Sequence, residues 1–150
     1  MFRAGGTSGG VLTFLVVWVA KLLSMLNENY MVWNVRGLNS RSWCNVVREL
    51  VAQENISLLS LQETKLDDCA DNLVLEICGA GFDYFFQSAV NTCGGILLAW
   101  RTDVWSLSNP IVWSYSLTVK VTLIRNNETW WWTSVYGPQG TRRRYSSWMC

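Results

Sequence analysis

A strand-helix-strand pattern between Tyr30 and Leu61 constrains the fold of this chain more than any other feature of its sequence. The run YMVWNV has the length and apolar character of a buried strand, Gly37 permits a turn after it, and Ser40 is a residue type that caps helices. The helix predicted next should end near Asn55, and its apolar side chains share one face: Val46, Val47, Leu50 and Val51. A second apolar run, ISLLSL, completes a βαβ unit and predicts an α/β fold.

A polar side chain suited to binding a metal or a phosphate marks the end of each predicted strand. Asn34 ends the first strand and Glu63 follows the second. Because a crossover helix makes the two strands parallel, their carboxyl ends lie at the same edge of the sheet, where α/β folds bind ligands. We therefore expect Asn34 and Glu63 to lie close together. Taken singly, each residue is also typical of a polar strand end that faces water, and only the pair favours a site.

The segment DDCADNLVLEICGAG predicts a second amphipathic helix. Gly79 and Gly81 can end this helix, and its apolar face comprises Leu73, Val74, Ile77 and Cys78. Asp67 and Asp68 stand where the helix would begin. They are interpreted as N-terminal capping residues or, alternatively, as additional metal ligands.

The second half of the chain has a sequence pattern typical of β-strands separated by turns. Four runs are predicted to be mostly antiparallel strands, separated by Asn, Gly, Asp and Pro signals: FDYFFQ, GGILLAW, TVKVTLI and WWWTSVY. The tetrapeptide RNNE is predicted to form the hairpin turn between the last two runs. At least one indole of Trp130–Trp132 is expected in the core, although these rings could also stack on nucleic-acid bases.

The complete absence of histidine excludes several kinds of catalytic site. A Ser-His-Asp triad, a Cys-His pair, a histidine zinc site and an imidazole general base are all impossible.

Half of the 150 residues are hydrophobic and the formal charge is only +1, which predicts one domain with a real core and no general attraction to nucleic acid. The cysteines form no C-x-x-C pair and are predicted to be reduced, mostly buried thiols: Cys44, Cys69, Cys78, Cys93 and Cys150.

Residues 1–29 differ in character from the rest and are predicted to be an extension, with the domain spanning residues 30–150. A Gly/Ser-rich start leads into VLTFLVVWVAKLLSML, an apolar run interrupted only by Lys21. The run resembles a signal sequence or a membrane anchor, but it is shorter than a comfortable membrane span and no A-x-A type cleavage site follows it. Two interpretations stay open, a membrane-directed segment and an extension unrelated to the function of the domain.

In this order and at these spacings, the motifs WNVRGLN, LQETKL, GGILLAW and SVYGP resemble the N-terminal half of the endonuclease/exonuclease/phosphatase family. The similarity is greatest to the apurinic-type endonuclease domain of plant LINE-like (non-LTR) retrotransposons, and it extends from about Met31 to the C-terminus. The resemblance implies a DNase I-like fold, here a partial two-sheet α/β sandwich whose mixed sheet begins with the βαβ unit. It also implies DNA as the partner and a nuclear location.

The same resemblance implies roles for three residues. Glu63 matches the family's metal-binding glutamate, a hard oxygen ligand suited to Mg²⁺, with Mn²⁺ as an alternative. Asn34 matches the asparagine on the metal and phosphate side of the site. Tyr136 of SVYGP matches the active-site tyrosine, whose hydroxyl lies near the scissile phosphate. In the family, the metal and the surrounding polar groups polarise the phosphodiester while an activated water attacks phosphorus.

The chain departs from the family pattern after Tyr136. The family's G-D-x-N motif and its later paired acid and histidine are not found before Cys150. We therefore interpret the chain as a truncated Mg²⁺-dependent endonuclease domain with negligible turnover. A half-sandwich should also have an open inner face, a large exposed apolar patch and poor solubility, unless the missing C-terminal half or a homo-oligomer covers that face.

Two other functions remain as alternatives. Arg142, Arg143 and Arg144 could bind a phosphate backbone, which would make the chain a non-catalytic nucleic-acid-binding remnant, or they form an ordinary solvated charge run. A small membrane-tethered protein directed by Val11–Leu26 is the other alternative.

Overall fold

The helices and strands follow the predicted order, with one strand added. The computed structural model describes residues 28–90 and 93–137. These residues form β1 (Tyr30–Asn34), α1 (Arg41–Gln53), β2 (Leu58–Gln62), α2 (Asp71–Cys78), β3 (Phe82–Gln87), β4 (Ile96–Arg101), β5 (Trp105–Trp113), β6 (Ser116–Leu123) and β7 (Glu128–Val135). The predictions for residues 1–27, Arg142, Arg143, Arg144 and Cys150 lie outside the described residues.

The predicted βαβ unit is confirmed. β1 and β2 pair in parallel, with Asn34 opposite Gln62, and α1 forms the crossover between them. Ser40 caps α1 as predicted, since the backbone N–H of Trp43 donates to its Oγ at 3.3 Å. Within the described part of the chain, no helix has both the length and the apolar character needed to span a membrane.

The buried face of α1 differs from the prediction. Cys44, Val47 and Val51 are buried, whereas Val46 is 40% exposed and Leu50 is only partly buried. Residues 44, 47 and 51 form one stripe along the helix, and Val46 lies about 100° around the helix from Val47. The apolar pair Val46–Val47 therefore does not share one environment.

The strands form two sheets. The first has the order β1-β2-β4-β3, in which β4 runs antiparallel to both of its neighbours. The second has the order β5-β6-β7 and is entirely antiparallel. The prediction of mostly antiparallel later strands is thus confirmed, as is the RNNE hairpin turn between β6 and β7.

β5 was not predicted. Its sequence contains Asn109 and Pro110, a pair that signals a turn, and the structure has a register shift between Ser108 and Ile111 at this point. Proline lacks a backbone donor and is tolerated on edge strands and at bulges. β5 is an edge strand of the three-stranded sheet, so the strand continues through the irregularity.

Two apolar layers hold the fold together. One lies between the two sheets and includes Leu58, Ile96, Leu98, Trp105, Leu117, Val119 and Trp132. The other lies between the first sheet and the helices and includes Val47, Leu59, Leu61, Val74, Ile77, Leu97 and Ala99. β2 is buried along its whole length because it contributes to both layers. The described chain is therefore a three-layer arrangement of helices, mixed sheet and antiparallel sheet.

The prediction of an open inner face is wrong, because the second sheet covers the first. The prediction of a core indole is confirmed: Trp132 is buried in the layer between the sheets, whereas Trp131 is 54% exposed. Four exposed apolar side chains lie on the outer face of the second sheet: Ile111, Trp113, Trp131 and Val135.

The capping prediction for Asp67 and Asp68 is also wrong. α2 begins at Asp71 after Ala70, which makes no side-chain capping bond. Asp68 instead accepts the backbone N–H of Cys69 at 2.8 Å, within the loop before the helix.

The four described cysteines are free, with Cys44 and Cys69 buried, Cys78 partly buried and Cys93 exposed.

Glu28 and Asn29 already contact the domain, although the predicted boundary places them in the extension. The backbone oxygen of Asn29 accepts the N–H of Ser57 at 2.8 Å, and its side-chain amide donates to the Glu54 carbonyl at 2.8 Å. The Glu28 carboxylate lies 3.7 Å from the guanidinium of Arg125.

Candidate functional site

The ends of β1 and β2 bring Asn34 and Glu63 to the same edge of the first sheet. Asn34 lies opposite Gln62, so Glu63 follows at the next position. The two loops then run side by side, with the N–H of Val35 bonded to the Gln62 carbonyl at 3.0 Å and the N–H of Leu38 bonded to the Thr64 carbonyl at 2.8 Å. The backbone positions of Asn34 and Glu63 therefore lie close together, as predicted.

A pair of glycines at the start of β4 completes this edge. The N–H of Thr64 donates to the Gly95 carbonyl at 3.2 Å, and the N–H of Lys65 donates to the Gly94 carbonyl at 2.9 Å. Both glycines have positive φ, +78° and +86° respectively. The loop carrying Glu63 is therefore tied to β1 on one side and to the β4 glycines on the other.

Tyr136 reaches the same edge from the second sheet. Its ring packs directly on Gly94, where an added Cβ would lie 2.3 Å from the ring. Its hydroxyl donates to the Ser114 carbonyl at 2.9 Å and accepts the N–H of Gly95. Burial raises the pKa of Tyr136, and the charge of Glu63 also contributes to that rise. The three residues singled out in the sequence thus assemble at one edge.

The backbone at this edge is strained. Among the described residues, six positions other than glycine have positive φ, and three of them are asparagines elsewhere: Asn55 and Asn127 in turns, and Asn109 at the irregularity of β5. The other three all belong to this edge, namely Arg36 at 53°, Glu63 at 55° and Lys65 at 56°. Asparagine tolerates this conformation, but longer side chains adopt it at a cost, and such strain clusters at functional sites.

Glu63 and Thr64 are buried, an uncommon environment for two polar residues in succession. The hydroxyl of Thr64 has no hydrogen-bond partner and packs against Gly95, where an added Cβ would come within 2.4 Å of Oγ1. The side-chain oxygen of Asn34 accepts the N–H of Arg36 at 3.2 Å, which holds the amide beside its own loop. These contacts position the side chains of Asn34 and Thr64 before any ligand is bound.

The oxygen donors at this edge suit a hard cation. Mg²⁺ is commonly held by only one or two carboxylates, together with water and substrate phosphate, and Glu63 with the amide oxygen of Asn34 would fit such a weak site. In residues 28–90 and 93–137, no group of three or more His, Cys, Asp or Glu side chains is placed to hold a metal. The alternative role of Asp67 and Asp68 as additional metal ligands stays a prediction.

Several residues of this edge were not identified as functional from the sequence. Gly94, Gly95 and Thr64 support Glu63 and Tyr136, and Ser114 bonds the Tyr136 hydroxyl. The doubled glycine before a strand was the available signal, because glycine in a strand context marks a close backbone approach. Ser114 gave no signal, since its contact depends on how the two sheets pack.

No family model and no curated protein matches the chain. Solved structures do match. The human Nocturnin catalytic domain, determined with a bound sulfate anion, has a TM-score of 0.56 and 13% identity over 71% of this chain and 48% of its own length. An AP endonuclease from Leishmania major has a TM-score of 0.57 and 17% identity over 73% of this chain and 40% of its own length.

This chain thus spans less than half the length of either protein. At such low identity the similarity establishes the fold and nothing finer. The predicted fold class is confirmed, and the closer resemblance to LINE-like retrotransposon endonucleases stays a prediction. The described residues adopt the DNase I-like α/β sandwich fold of the endonuclease/exonuclease/phosphatase type.

Proposed function

We propose that this chain is a DNA phosphodiester-binding domain derived from a Mg²⁺-dependent endonuclease of the LINE-like retrotransposon type. The observation that carries the proposal is the assembly of Asn34, Glu63 and Tyr136 at one strained edge of the fold. These residues lie at the ends of three separate strands, which belong to two sheets. A polar strand end that merely faces water has no need of partners from other elements.

Each of the three residues has a chemical role in the proposal. The Glu63 carboxylate, supported by the Asn34 amide oxygen, would hold Mg²⁺, which when bound neutralises phosphate charge and polarises the phosphodiester. A tyrosine hydroxyl is protonated near neutral pH even at its usual pKa of about 10, and burial raises the pKa of Tyr136 further. Its hydroxyl can therefore donate to a phosphate oxygen, provided that it exchanges its present acceptor, the Ser114 carbonyl, for the ligand.

The chain on its own should bind without efficient turnover. It contains no histidine, and its described residues hold no acidic cluster beside Glu63 that could serve as a general base. Loss of a general acid or base typically removes about two to four orders of magnitude of rate. The proposed activity is consequently recognition of a phosphodiester, with trace cleavage at most.

The test combines nicking of supercoiled plasmid with Mg²⁺-dependent binding of a labelled DNA oligonucleotide, both on the full chain. Glu63→Gln should weaken the Mg²⁺-dependent part of binding, because it removes the carboxylate while preserving shape. Glu128→Gln, at an exposed position at the start of β7, is the control with the same change in charge. EDTA should abolish the difference between the wild-type chain and Glu63→Gln.

Two results would count against the proposal. Equal Mg²⁺-dependent binding by the wild-type chain and Glu63→Gln would remove the site assignment. Rapid nicking that disappears in Glu63→Gln and in EDTA would keep the site but overturn the expectation of negligible turnover.

A further inference from the structure

The turn between β5 and β6 is built against the candidate site. Three successive carbonyls of this turn accept hydrogen bonds. Gln87 Nε2 donates to the Trp113 carbonyl at 2.7 Å, the Tyr136 hydroxyl donates to Ser114 at 2.9 Å, and the Tyr136 N–H donates to Tyr115 at 3.0 Å. Two of the donors belong to Tyr136 itself, so the turn backbone is held in place by a residue of the site.

The two aromatic side chains of this turn lie on opposite faces of the second sheet. Tyr115 lies in the turn before β6, and its ring meets the ring of Tyr136 edge to face at 5.8 Å and 80°, which places it on the side of the candidate site. Trp113, the last residue of β5, pairs with Ser116 and falls on the outer face, with Ser116 between it and Val135. Tyr115 is 44% exposed and Trp113 is 67% exposed. Only Tyr115 therefore lies on the side of the site.

A half-exposed aromatic ring on a fixed backbone beside a phosphate site has the properties of a base-stacking platform. Tyrosine offers a large contact area with few rotatable bonds, so little entropy is lost when a ligand packs on it. Stacking on a protein aromatic ring requires a base that is not already stacked in a duplex. The edge-to-face contact with Tyr136 orients the ring while leaving much of its surface accessible.

We propose that Tyr115 stacks on an unpaired nucleobase adjoining the phosphodiester that the site binds. This inference rests on the proposed function and narrows it, since it makes single-stranded or locally unpaired nucleic acid the ligand and not a small phosphate ester. Tyr115 acts as a specificity residue, because it contacts the ligand away from the reacting phosphorus.

The test measures the affinity of the full chain for two labelled single strands of equal length and charge. One strand carries thymine on every unit, and the other has base-free deoxyribose units throughout. The wild-type chain should bind the thymine strand about tenfold more tightly, in line with the contribution of one stacked base. Tyr115→Ala should remove this preference while leaving the affinity for the base-free strand unchanged, which also shows that the variant is folded.

Two further variants sharpen the result. Tyr115→Phe keeps the ring and should keep the preference, and Trp113→Ala, on the other face of the same turn, should keep it as well. Equal binding of both strands by the wild-type chain, or a preference that survives Tyr115→Ala, would overturn the inference.

The proposed function is scored separately by Glu63→Gln, which should weaken both strands to the same extent. If Glu63→Gln has no effect while Tyr115→Ala removes the base preference, the assignment of Tyr115 as a stacking residue is kept and the assignment of the phosphate site is rejected.

Discussion

The hydroxyls of Ser60 and Ser134 lie 2.7 Å apart in the buried layer between the two sheets. Ser60 belongs to β2, at the centre of the first sheet, and Ser134 belongs to β7 of the second. The indole N–H of Trp132 also donates to Ser134 Oγ, at 2.9 Å. This small polar network bridges a mostly apolar layer. Ser134 precedes Tyr136, a residue of the candidate site, by two positions in the sequence.

Removal of the Ser134 hydroxyl should destabilise the fold. Ser134→Ala leaves both the Ser60 hydroxyl and the Trp132 N–H without this partner, and each unsatisfied buried group costs about 1–3 kcal/mol. The free energy of unfolding in urea measures the loss. Thr133→Ala is the matched control, since it removes an exposed hydroxyl pair with Thr118 at 3.0 Å and should change stability by less than about 0.5 kcal/mol. Equal losses in the two variants would contradict the structural role of the buried network.

A methyl group added at Gly94 should displace Tyr136. Gly94→Ala combines an unfavourable positive φ with a Cβ only 2.3 Å from the Tyr136 ring, and overpacking of this kind typically costs about 1–3 kcal/mol beyond the backbone term. Gly81→Ala is the control, because Gly81 has a similar φ of +85° and no atom within 4 Å of the added Cβ. Urea unfolding of both variants separates the two contributions. A loss in Gly94→Ala no larger than that in Gly81→Ala would show that the ring moves aside freely.

Stability should fall as the pH rises above about 9. Burial raises the pKa of Cys78 from 9.0 to about 12, and burial together with Asp68 raises that of Cys69 to about 11. Above the unfolded value, the unfolded chain releases these protons while the folded chain keeps them, so each group shifts the balance toward unfolding by up to about 1.4 kcal/mol per pH unit. The contribution is complete below pH 9 and is lost as the pH approaches the folded values. Cys78→Ala should make the stability curve between pH 9 and 11 shallower, and an unchanged curve would count against this cause.

Alkylation should modify Cys93 before the other described cysteines. Cys93 is exposed, whereas Cys69 is buried and the raised pKa of Cys78 leaves little reactive thiolate near pH 8. Peptide mapping after brief iodoacetamide treatment follows each residue separately. Among the described cysteines, Cys93→Ser should remove the first modification without exposing Cys69. Early labelling of Cys69 would show that the loop before α2 opens readily, and early labelling of Cys78 would show that the end of α2 does.

Local signals in the sequence were sufficient for the βαβ unit. Ser40 caps the helix through its own side chain, and the strand ends at Asn34 and Gln62 follow from short apolar runs between turns. The proximity of Asn34 and Glu63 could be inferred because parallel pairing is a consequence of the crossover helix. These features depend on contacts between residues that are near in sequence or joined by one helix.

Features that depend on packing between distant elements could not be predicted from local sequence signals. Val46 and Val47 have the same side chain, and only the position of α1 on the sheet decides which of them is buried. Pro110 is one of the signals that separate the predicted strands, because whether β5 lies at a sheet edge is unknown until the sheet is assembled. The contact of Tyr136 with Ser114 joins a strand end to a hairpin turn and has no local sequence signal.

The contact between Gly94 and Tyr136 has a consequence for the order of folding. Contacts close in sequence form fast, whereas closure between distant segments is slow. The βαβ unit, which carries Asn34 and Glu63, can form through contacts between segments that are close in sequence. Tyr136 reaches its place against Gly94 only after β5, β6 and β7 have paired and packed on the first sheet. During refolding, secondary structure should therefore appear before ligand binding does, and the candidate site is among the last parts of the molecule to become native.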